Sequence, residues 1–363
     1  MRGSPSDVTD TGGLALELRA YVVRRLILLI PVMFGVSLLI FGVVQLFSPL
    51  QRATLYIRDP KQLAHLGEVV EKYGLNDPFW EQYWTWLSQL FHGNLGWSKI
   101  VAAPVGEAIL KFLPTTVELA LFATPLIIIG GIFLGSKAAA HKDKAIDHAT
   151  RVGAIIGWSL PTFWLGLMLL MVFYGYFSGL LPPERLSTEM SLLVNSDSFH
   201  QYTRIHTLDA ILNGNFRVLG DALRHLVLPV ITLTVVNIAF IMRLMRSSML
   251  ESLGKGYVLT ARAKGLDERT VVNKHARRNA LIPVLTISGY LFAALVSGVV
   301  ITETIFNFKG VGWLAWQSAV QLDIPTVLGF ALFTATVFVL ANLVVDLLYA
   351  RIDPRVRLGG RAK

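Results

Sequence analysis

The sequence contains no cysteine, which excludes disulfides, thiolate metal sites and cysteine nucleophiles from this chain. Charged residues are scarce as well. They make up 16% of the 363 residues, whereas soluble domains carry about a quarter. Hydrophobic residues reach 53%, and the mean hydropathy is +0.56. This composition predicts a protein whose main solvent is the lipid bilayer.

Motifs for catalysis are missing too. ATP hydrolysis needs a glycine loop whose amides hold phosphates and a lysine that reaches them, and no G-x-x-x-x-G-K-[S/T] occurs. The stretch GGIFLG at 130–135 lacks the lysine–hydroxyl ending and is typical of helix packing. The histidines lack H-E-x-x-H spacing, and His148, His225 and His275 flank apolar runs, as interface residues do. We therefore expect no catalytic residue, metal site or bound cofactor in this chain.

Six apolar runs are long enough to cross a bilayer, which takes about 20 residues. Each is expected to be a helix, because lipid offers no partner for free backbone groups. The predicted fold class is an all-α membrane protein with six transmembrane helices. The runs lie near 23–47, 115–136, 153–177, 226–249, 282–306 and 325–350.

Basic residues predict how these helices are oriented. Lysine and arginine concentrate before the first run, in 137–151, in 243–281 and after the last run. With six spans, all four regions fall on one side, and positive loops face the cytoplasm. Both termini are therefore predicted to be cytoplasmic. The net charge of +9 is interpreted as a topology signal and not as a nucleic-acid surface.

The predicted organisation begins and ends with a cytoplasmic tail, and we expect residues 1–18 to be disordered. Its parts are tail 1–22, first transmembrane helix 23–47, extracytoplasmic loop 48–114, core domain 115–350 with a cytoplasmic loop at 250–281, and tail 351–363.

Two extracytoplasmic segments are more than connectors. Phe79, Tyr83, Trp86 and Leu90 recur at near-helical spacing. They predict an amphipathic helix at the membrane interface, with a cap on the outer mouth as the alternative. Residues 178–224 are polar and mixed, and are a candidate docking segment for a partner.

The cytoplasmic loop 250–281 has an unusual pattern. Tyr257, Ala261 and Gly265 recur at i, i+4 and i+8, so they share one helix face. Gly265 is expected to end this helix in the left-handed conformation. Asp267 is expected to cap a second helix over 268–281 that leads to the fifth span. A connector needs only a handful of residues, so we interpret the slim first helix as a docking knob for another protein.

The loop YVLTARAKGLDERTVVNKHARRNALIP (257–283) closely resembles that of ABC-importer permeases of the oligopeptide/dipeptide family. Further similar stretches follow in the family's order, among them RRLILLIPVMFGVSLLIF (24–41), LPTTVELALFA (113–123), ETIFNFKGVGWL (303–314) and NLVVDLLYARIDPRVR (342–357). The resemblance implies a type I ABC importer permease fold with a coupling helix that docks on an ATPase. The positions it implies for coupling are Glu251, Tyr257, Ala261, Arg262, Ala263, Lys264, Gly265 and Leu266.

The resemblance also implies partners. They are a second, non-identical permease, two ABC ATPase subunits that hold ATP and Mg²⁺, an extracytoplasmic binding protein and the lipid of the cytoplasmic membrane. The expected substrates are di- and oligopeptides, with oligosaccharides or a nickel chelate as alternatives. The chain departs from the family pattern at FSPLQRA (47–53), Asn94, Lys309 and the long segment 184–224.

Polar residues within the spans are candidates for two roles. Asn342 and Asp346 are four residues apart and share a helix face, which predicts a structural hydrogen bond or ion pair. Glu118 and Glu303 lie near outer ends, where they cap, snorkel or line the entrance. The weak candidates for the substrate path are Asn237, Ser288, Ser297 and Glu303.

Two other function classes are compatible with six spans. An ion-coupled secondary transporter would not need a small-residue helix–turn–helix in the cytoplasm. A membrane scaffold would carry no substrate flux.

Overall fold

The computed structural model describes residues 11–57 and 59–352, without the side chains of 11–22, 25, 60 and 348–352. Residues 1–10 of the predicted N-terminal tail and 353–363 of the predicted C-terminal tail lie outside this description. The expected disorder of 1–18 is wrong for its later part, because the first helix begins at Thr11.

The first third of the chain forms one long helix and a small outer assembly. Short 3₁₀ turns cover Thr54–Tyr56 and Pro60–His65. The other elements are α1 (Thr11–Val44), α2 (Pro49–Ala53), α3 (Leu66–Lys72), α4 (Phe79–Phe91), and the antiparallel pair β1 (Trp97–Ser98) and β2 (Ala103–Pro104).

The remainder is helical, with π-helical segments at Met171–Tyr176 and Val271–Ala276. Its helices are α5 (Val105–Ala140), α6 (Ala145–Ser159), α7 (Thr162–Leu170), α8 (Thr188–Val194), α9 (His206–Leu212), α10 (Phe216–Leu253), α11 (Gly256–Ala263), α12 (Glu268–Thr270), α13 (Arg277–Val296), α14 (Val300–Ile305), α15 (Val311–Val320) and α16 (Ile324–Ile352).

Five described helices are long and apolar enough to cross a membrane, and one bent pair makes a sixth span. The predicted all-α membrane fold with six spans is therefore confirmed. The end of the bundle where α1 ends and α10 begins is predicted to be extracytoplasmic. It is called the outer end below, and the opposite end is called the inner end.

The third span differs from the single helix predicted at 153–177. It consists of α6 and α7 with its π-helical extension, bent by 92°. Leu160 has φ −75° and ψ 122°, outside the helical region. The cause is Pro161, whose ring clashes with the backbone of the preceding residue and whose nitrogen has no hydrogen to donate.

The fifth span differs at both ends from the prediction of 282–306. The helix predicted at 268–281 does not stop at Pro283, because α12, the π-helical segment and α13 form one continuous span over Glu268–Val296. Membrane helices tolerate such an internal proline. At the other end the chain turns at Gly298, which has φ +107°. A Cβ there would lie 2.9 Å from the Cα of Gly312, so only glycine fits.

The core of the bundle lies between α5 and α10. Gly131 and Gly135 of α5 face α10, where a Cβ at Gly135 would lie 2.5 Å from the carbonyl oxygen of Met242. The absence of side chains lets the two helices approach closely. The helix-packing interpretation of GGIFLG is thus confirmed.

The outer segment between the bent pair and α10 has a small core of its own. Helices α8 and α9 pack against the first turns of α10. Its buried apolar residues are Leu186, Met190, Val194, Phe199, Ala210, Val218 and Ala222.

Candidate coupling segment and translocation path

The candidate coupling segment, residues 250–281, folds back against the inner end of the bundle. After α10, Lys255 is extended (φ −78°, ψ 150°) and α11 begins at the next residue. Val258 and Ala261 are buried in the same apolar cluster as Met249 and Val271. Helix α11 is therefore packed onto the chain's own core rather than suspended from a loop.

The end of α11 has the geometry that the sequence predicts. Gly265 has φ +76°. Its N–H donates to the carbonyl of Arg262 at 2.9 Å, and the N–H of Leu266 donates to the carbonyl of Ala261 at 3.4 Å. These two bonds form a Schellman motif, which requires a left-handed residue at this position. A Cβ at Gly265 would meet no atom within 4 Å, so the backbone conformation alone demands glycine.

Two polar contacts fix the turn that follows α11. The Asp267 carboxylate accepts the N–H of Thr270 at 3.0 Å, which confirms the predicted cap. Hydrogen bonds from Thr270 lower the pKa of Asp267, so the cap stays ionised near neutral pH. Arg262 donates to Glu268 at 2.6 and 3.1 Å, which bridges the two sides of the turn.

The solvent-facing side of α11 and its turn mixes apolar and basic residues. Ala261 is an exception among the predicted coupling positions, because it faces the core. Spacing at i and i+4 identifies a shared face but not which way that face points. The small side chain of Ala261 lets α11 approach its own bundle, and a role of Ala261 in coupling stays a prediction. The exposed positions are Glu251, Tyr257, Leu259, Arg262, Ala263, Lys264, Gly265 and Leu266.

A buried ion pair holds the inner end of the bundle beside this segment. Arg246 of α10 donates twice to Asp147 of α6, both times at 2.7 Å. The Asp147 carboxylate is fully buried and also accepts the N–H of Asp143 at 3.0 Å. The sequence pattern places Arg246 only among the basic residues of 243–281 and does not indicate Asp147, since no spacing relates residues on different helices.

Three of the weak path candidates satisfy their own polar groups locally. Asn237 donates to the carbonyl of Leu233 at 2.8 Å, and each serine donates to the carbonyl four residues before it. Ser288 and Ser297 are buried, whereas Asn237 is partly exposed. These bonds do not distinguish a pore-lining position from a packed one, so the assignments stay predictions.

The fourth candidate, Glu303, lies in a cradle of hydrogen-bond donors. Its carboxylate accepts the hydroxyl of Thr116 and the N–H of Trp313, both at 2.7 Å. Thr116 in turn accepts the N–H of Val311 at 2.9 Å. A Cβ at Gly310 would lie 2.6 Å from the Glu303 carboxyl carbon, so the loop before α15 closes over the acid. This geometry gives Glu303 a structural role at the outer end, and a role in the path stays a prediction.

The polar pair predicted in the last span lies where α13 and α16 meet. The Tyr290 hydroxyl donates to the side-chain oxygen of Asn342, which is the kind of contact predicted for Asn342. Asp346 follows one turn later on the same helix. Gly289 faces Val345 at this crossing, which allows the helices to approach closely.

Comparison with known proteins identifies the family. Residues 127–358 match the family described as the binding-protein-dependent transport system inner membrane component. This chain belongs to that family.

Relatives of this transport component cover nearly the whole chain. It is 40% identical over 332 residues to the probable D,D-dipeptide transport system permease protein DdpB of Escherichia coli strain K12, covering 92% of this chain and 96% of that protein. It is 37% identical over 340 residues to the dipeptide transport system permease protein DppB of Alkalihalophilus pseudofirmus, covering 93% and 99%. It is 36% identical over 344 residues to the oligopeptide transport system permease protein AppB of Bacillus subtilis strain 168, covering 93% and 99%.

Besides Glu303, the buried carboxylates at the outer end of this transport component include Glu118 and Asp323. Glu118 accepts Arg185 at 2.7 Å and both the N–H and the hydroxyl of Thr207 at 2.8 Å. Asp323, just before α16, accepts the hydroxyl of Ser98 at 3.0 Å and the N–H of Lys99 at 2.9 Å. Both acids tie outer segments to membrane helices. The sequence pattern places Glu118 only near the outer end of a span and does not indicate Asp323, because the partners of both acids are far away in sequence.

Among residues 11–57 and 59–352, no group of three or more His, Asp or Glu side chains could hold a metal ion.

Proposed function

We propose that this chain is one permease of an ATP-driven importer and that the exposed face of α11 docks into an ABC ATPase subunit. The supporting observation is that one side of α11 packs against the core of the chain while the other side is exposed. Val258 and Ala261 anchor α11, while Tyr257, Leu259 and Leu266 stay exposed on the side facing away from the bundle. Soluble proteins use exposed apolar side chains of this kind as contact surfaces.

The same proposal sets the orientation of the chain. The side carrying α11 faces the cytoplasm, both termini lie there, and the membrane is the cytoplasmic membrane. The basic residues that surround α11 support this orientation, because positive charge is retained on the cytoplasmic side.

In this proposal, two ATPase subunits bind ATP and Mg²⁺ and close on each other. This chain transmits their movement to its membrane spans. Helix α11 is joined to α10 through two residues, Gly254 and Lys255, and to the fifth span through the turn at Gly265. A displacement of α11 therefore tilts both spans together. The Schellman motif and the Arg262–Glu268 contact support this role, because a flexible turn would absorb the movement.

A second, non-identical permease completes the path, which lies between the fifth spans of the two chains. Helix α13 supports this arrangement, since it exposes the apolar side chains of Leu285 and Phe292. An extracytoplasmic binding protein delivers the substrate at the outer end.

We assign the substrate to the di- and oligopeptides, because relatives at 36–40% identity carry dipeptide or oligopeptide transport in their names. The test is to purify the cognate binding protein and identify its bound ligand by mass spectrometry, then to measure uptake of that ligand into proteoliposomes containing the assembled transporter. Bound peptide and ATP-dependent peptide uptake are expected. A bound sugar or nickel chelate, or uptake that follows a proton gradient without ATP, would overturn the assignment.

A further inference from the structure

Helix α4 exposes an aromatic face that has no role in the transport mechanism proposed above. Trp80, Trp84 and Phe91 are 56%, 58% and 83% exposed. Their spacing puts them on one side of the helix, since residues four and seven apart lie nearly above one another. Tyr83 and Trp86, from the stripe that the sequence predicts to face the membrane interface, are instead buried against the chain itself. We call the exposed side the aromatic face.

The depth of α4 follows from its contacts with α1. The Tyr83 hydroxyl lies 2.8 Å from that of Ser37, and its ring lies 5.8 Å from Phe34 and 5.4 Å from Phe41. The apolar span of α1 runs from Leu26 to Val44. At 1.5 Å per residue, Ser37 lies about 10 Å inward of Val44. Helix α4 therefore lies beside the membrane span and not beyond its end.

The side of α1 that contacts α4 is apolar and exposed further toward the inner end. Ile27, Ile30, Phe34, Ser37 and Phe41 are three or four residues apart and form one stripe along the helix. Helix α4 covers the outer part of this stripe, at Ser37 and Phe41. The inner part, at Ile27 and Ile30, is exposed. In a membrane-spanning helix, an exposed apolar stripe of this kind is suited to contact acyl chains, which favours lipid as the surface next to α4.

We propose that the aromatic face of α4 lies in the lipid at the outer end, at the boundary between headgroups and acyl chains. Tryptophan concentrates at this boundary because its ring is apolar and its N–H is polar. Helices that lie in the interface plane bury their apolar side about 5–10 Å deep, which agrees with the level of Ser37. The partner of this face is the bilayer itself, and the assignment holds whether or not the chain transports peptides.

The anchored helix leads directly into the outer hairpin. The turn after α4 places the side-chain oxygen of Asn94 3.1 Å from the N–H of Gly96, and β1 follows. Ser98 of β1 then donates to Asp323 at the start of the last span. The aromatic face thus fixes the level in the membrane from which this hairpin reaches the core domain.

The absence of cysteine makes a direct test possible. Single variants Trp84→Cys and Ser88→Cys carry a nitroxide label on the exposed side of α4, and Ser88→Cys keeps every aromatic residue. Tyr202→Cys, an exposed aromatic position of the outer segment, is the matched control. The assembled transporter is placed in lipid nanodiscs, and collisions of the label with oxygen and with a water-soluble nickel chelate are measured.

The expected result is a several-fold higher oxygen-to-nickel collision ratio at positions 84 and 88 than at position 202. A nickel preference at position 84 or 88 would place α4 in water and overturn the proposal. Exclusion of both reagents would also overturn it, because another protein chain would then cover the face. If Trp84→Cys does not fold, the Ser88→Cys result decides between these outcomes.

Discussion

At the residue scale, Gly265 is a position where a substitution tests backbone conformation without disturbing side-chain packing. No neighbour would contact an added Cβ, yet φ is +76°. A non-glycine residue in this conformation costs about 1–2 kcal/mol, and a β-branched residue fits it least well. We expect Gly265→Val to insert normally but to hydrolyse more ATP per substrate molecule imported.

Gly265→Asn is the matched control, because asparagine adopts the left-handed conformation more readily than other residues. We expect it to keep the parental ratio of ATP hydrolysed to substrate imported, measured in proteoliposomes. If the valine variant also kept that ratio, the rigid-turn account of coupling would be wrong.

Glu303 offers a second test at this scale. Glutamine would present an amide NH₂ to a cradle built from the Thr116 hydroxyl and the Trp313 N–H. At least one buried donor would then lack an acceptor, at a cost of about 1–3 kcal/mol. We expect Glu303→Gln to lower the thermal unfolding temperature in detergent. Glu184→Gln, at an exposed acid nearby, should leave it unchanged, and equal unfolding temperatures for the two variants would contradict the buried cradle.

At the scale of elements, the sequence predicts the features that depend on neighbouring residues, such as helix caps and helix ends. The cap at Asp267 and the terminator at Gly265 depend on a few neighbouring residues, and both were predicted correctly. The break before Pro161 also has a local cause, but a hydropathy window averages over it. The ion pair between Asp147 and Arg246 could not be predicted, because it depends on how α6 crosses α10.

The Asp147–Arg246 pair should therefore matter far more than an exposed pair of similar geometry. Removing one partner of a buried ion pair leaves an uncompensated charge and costs about 3 kcal/mol. Exposed pairs contribute below about 1 kcal/mol. Glu189 is the control, since Arg217 contacts it at 2.9 Å with both side chains largely exposed.

We expect Asp147→Ala to lower the unfolding temperature markedly and to expose the inner loops to limited proteolysis, and Glu189→Ala to do neither. Thermal unfolding and proteolysis of the purified transporter would measure this. Similar behaviour of the two variants would show that the inner pair is not buried in the assembled protein.

At the scale of the whole molecule, this chain is a membrane component of a transport system, and we propose that partner subunits supply its energy. It has no glycine loop for phosphate, so we expect the purified chain to hydrolyse no ATP above the background of a mock preparation. Activity should appear on addition of the ATPase subunits and increase with loaded binding protein. Turnover by the chain alone, after contaminating ATPases are removed, would contradict this division of labour.

The central claim is that the exposed face of α11 contacts the ATPase while its buried face holds the helix in place. Cysteine cross-linking in the assembled transporter tests it most directly, with Ala263→Cys on the exposed face and Ala261→Cys on the buried face. We predict that position 263 cross-links to an ATPase subunit and that position 261 does not react. Free solvent access at position 263 with no cross-link to the ATPase, or labelling there by a reagent confined to the outside, would contradict the claim.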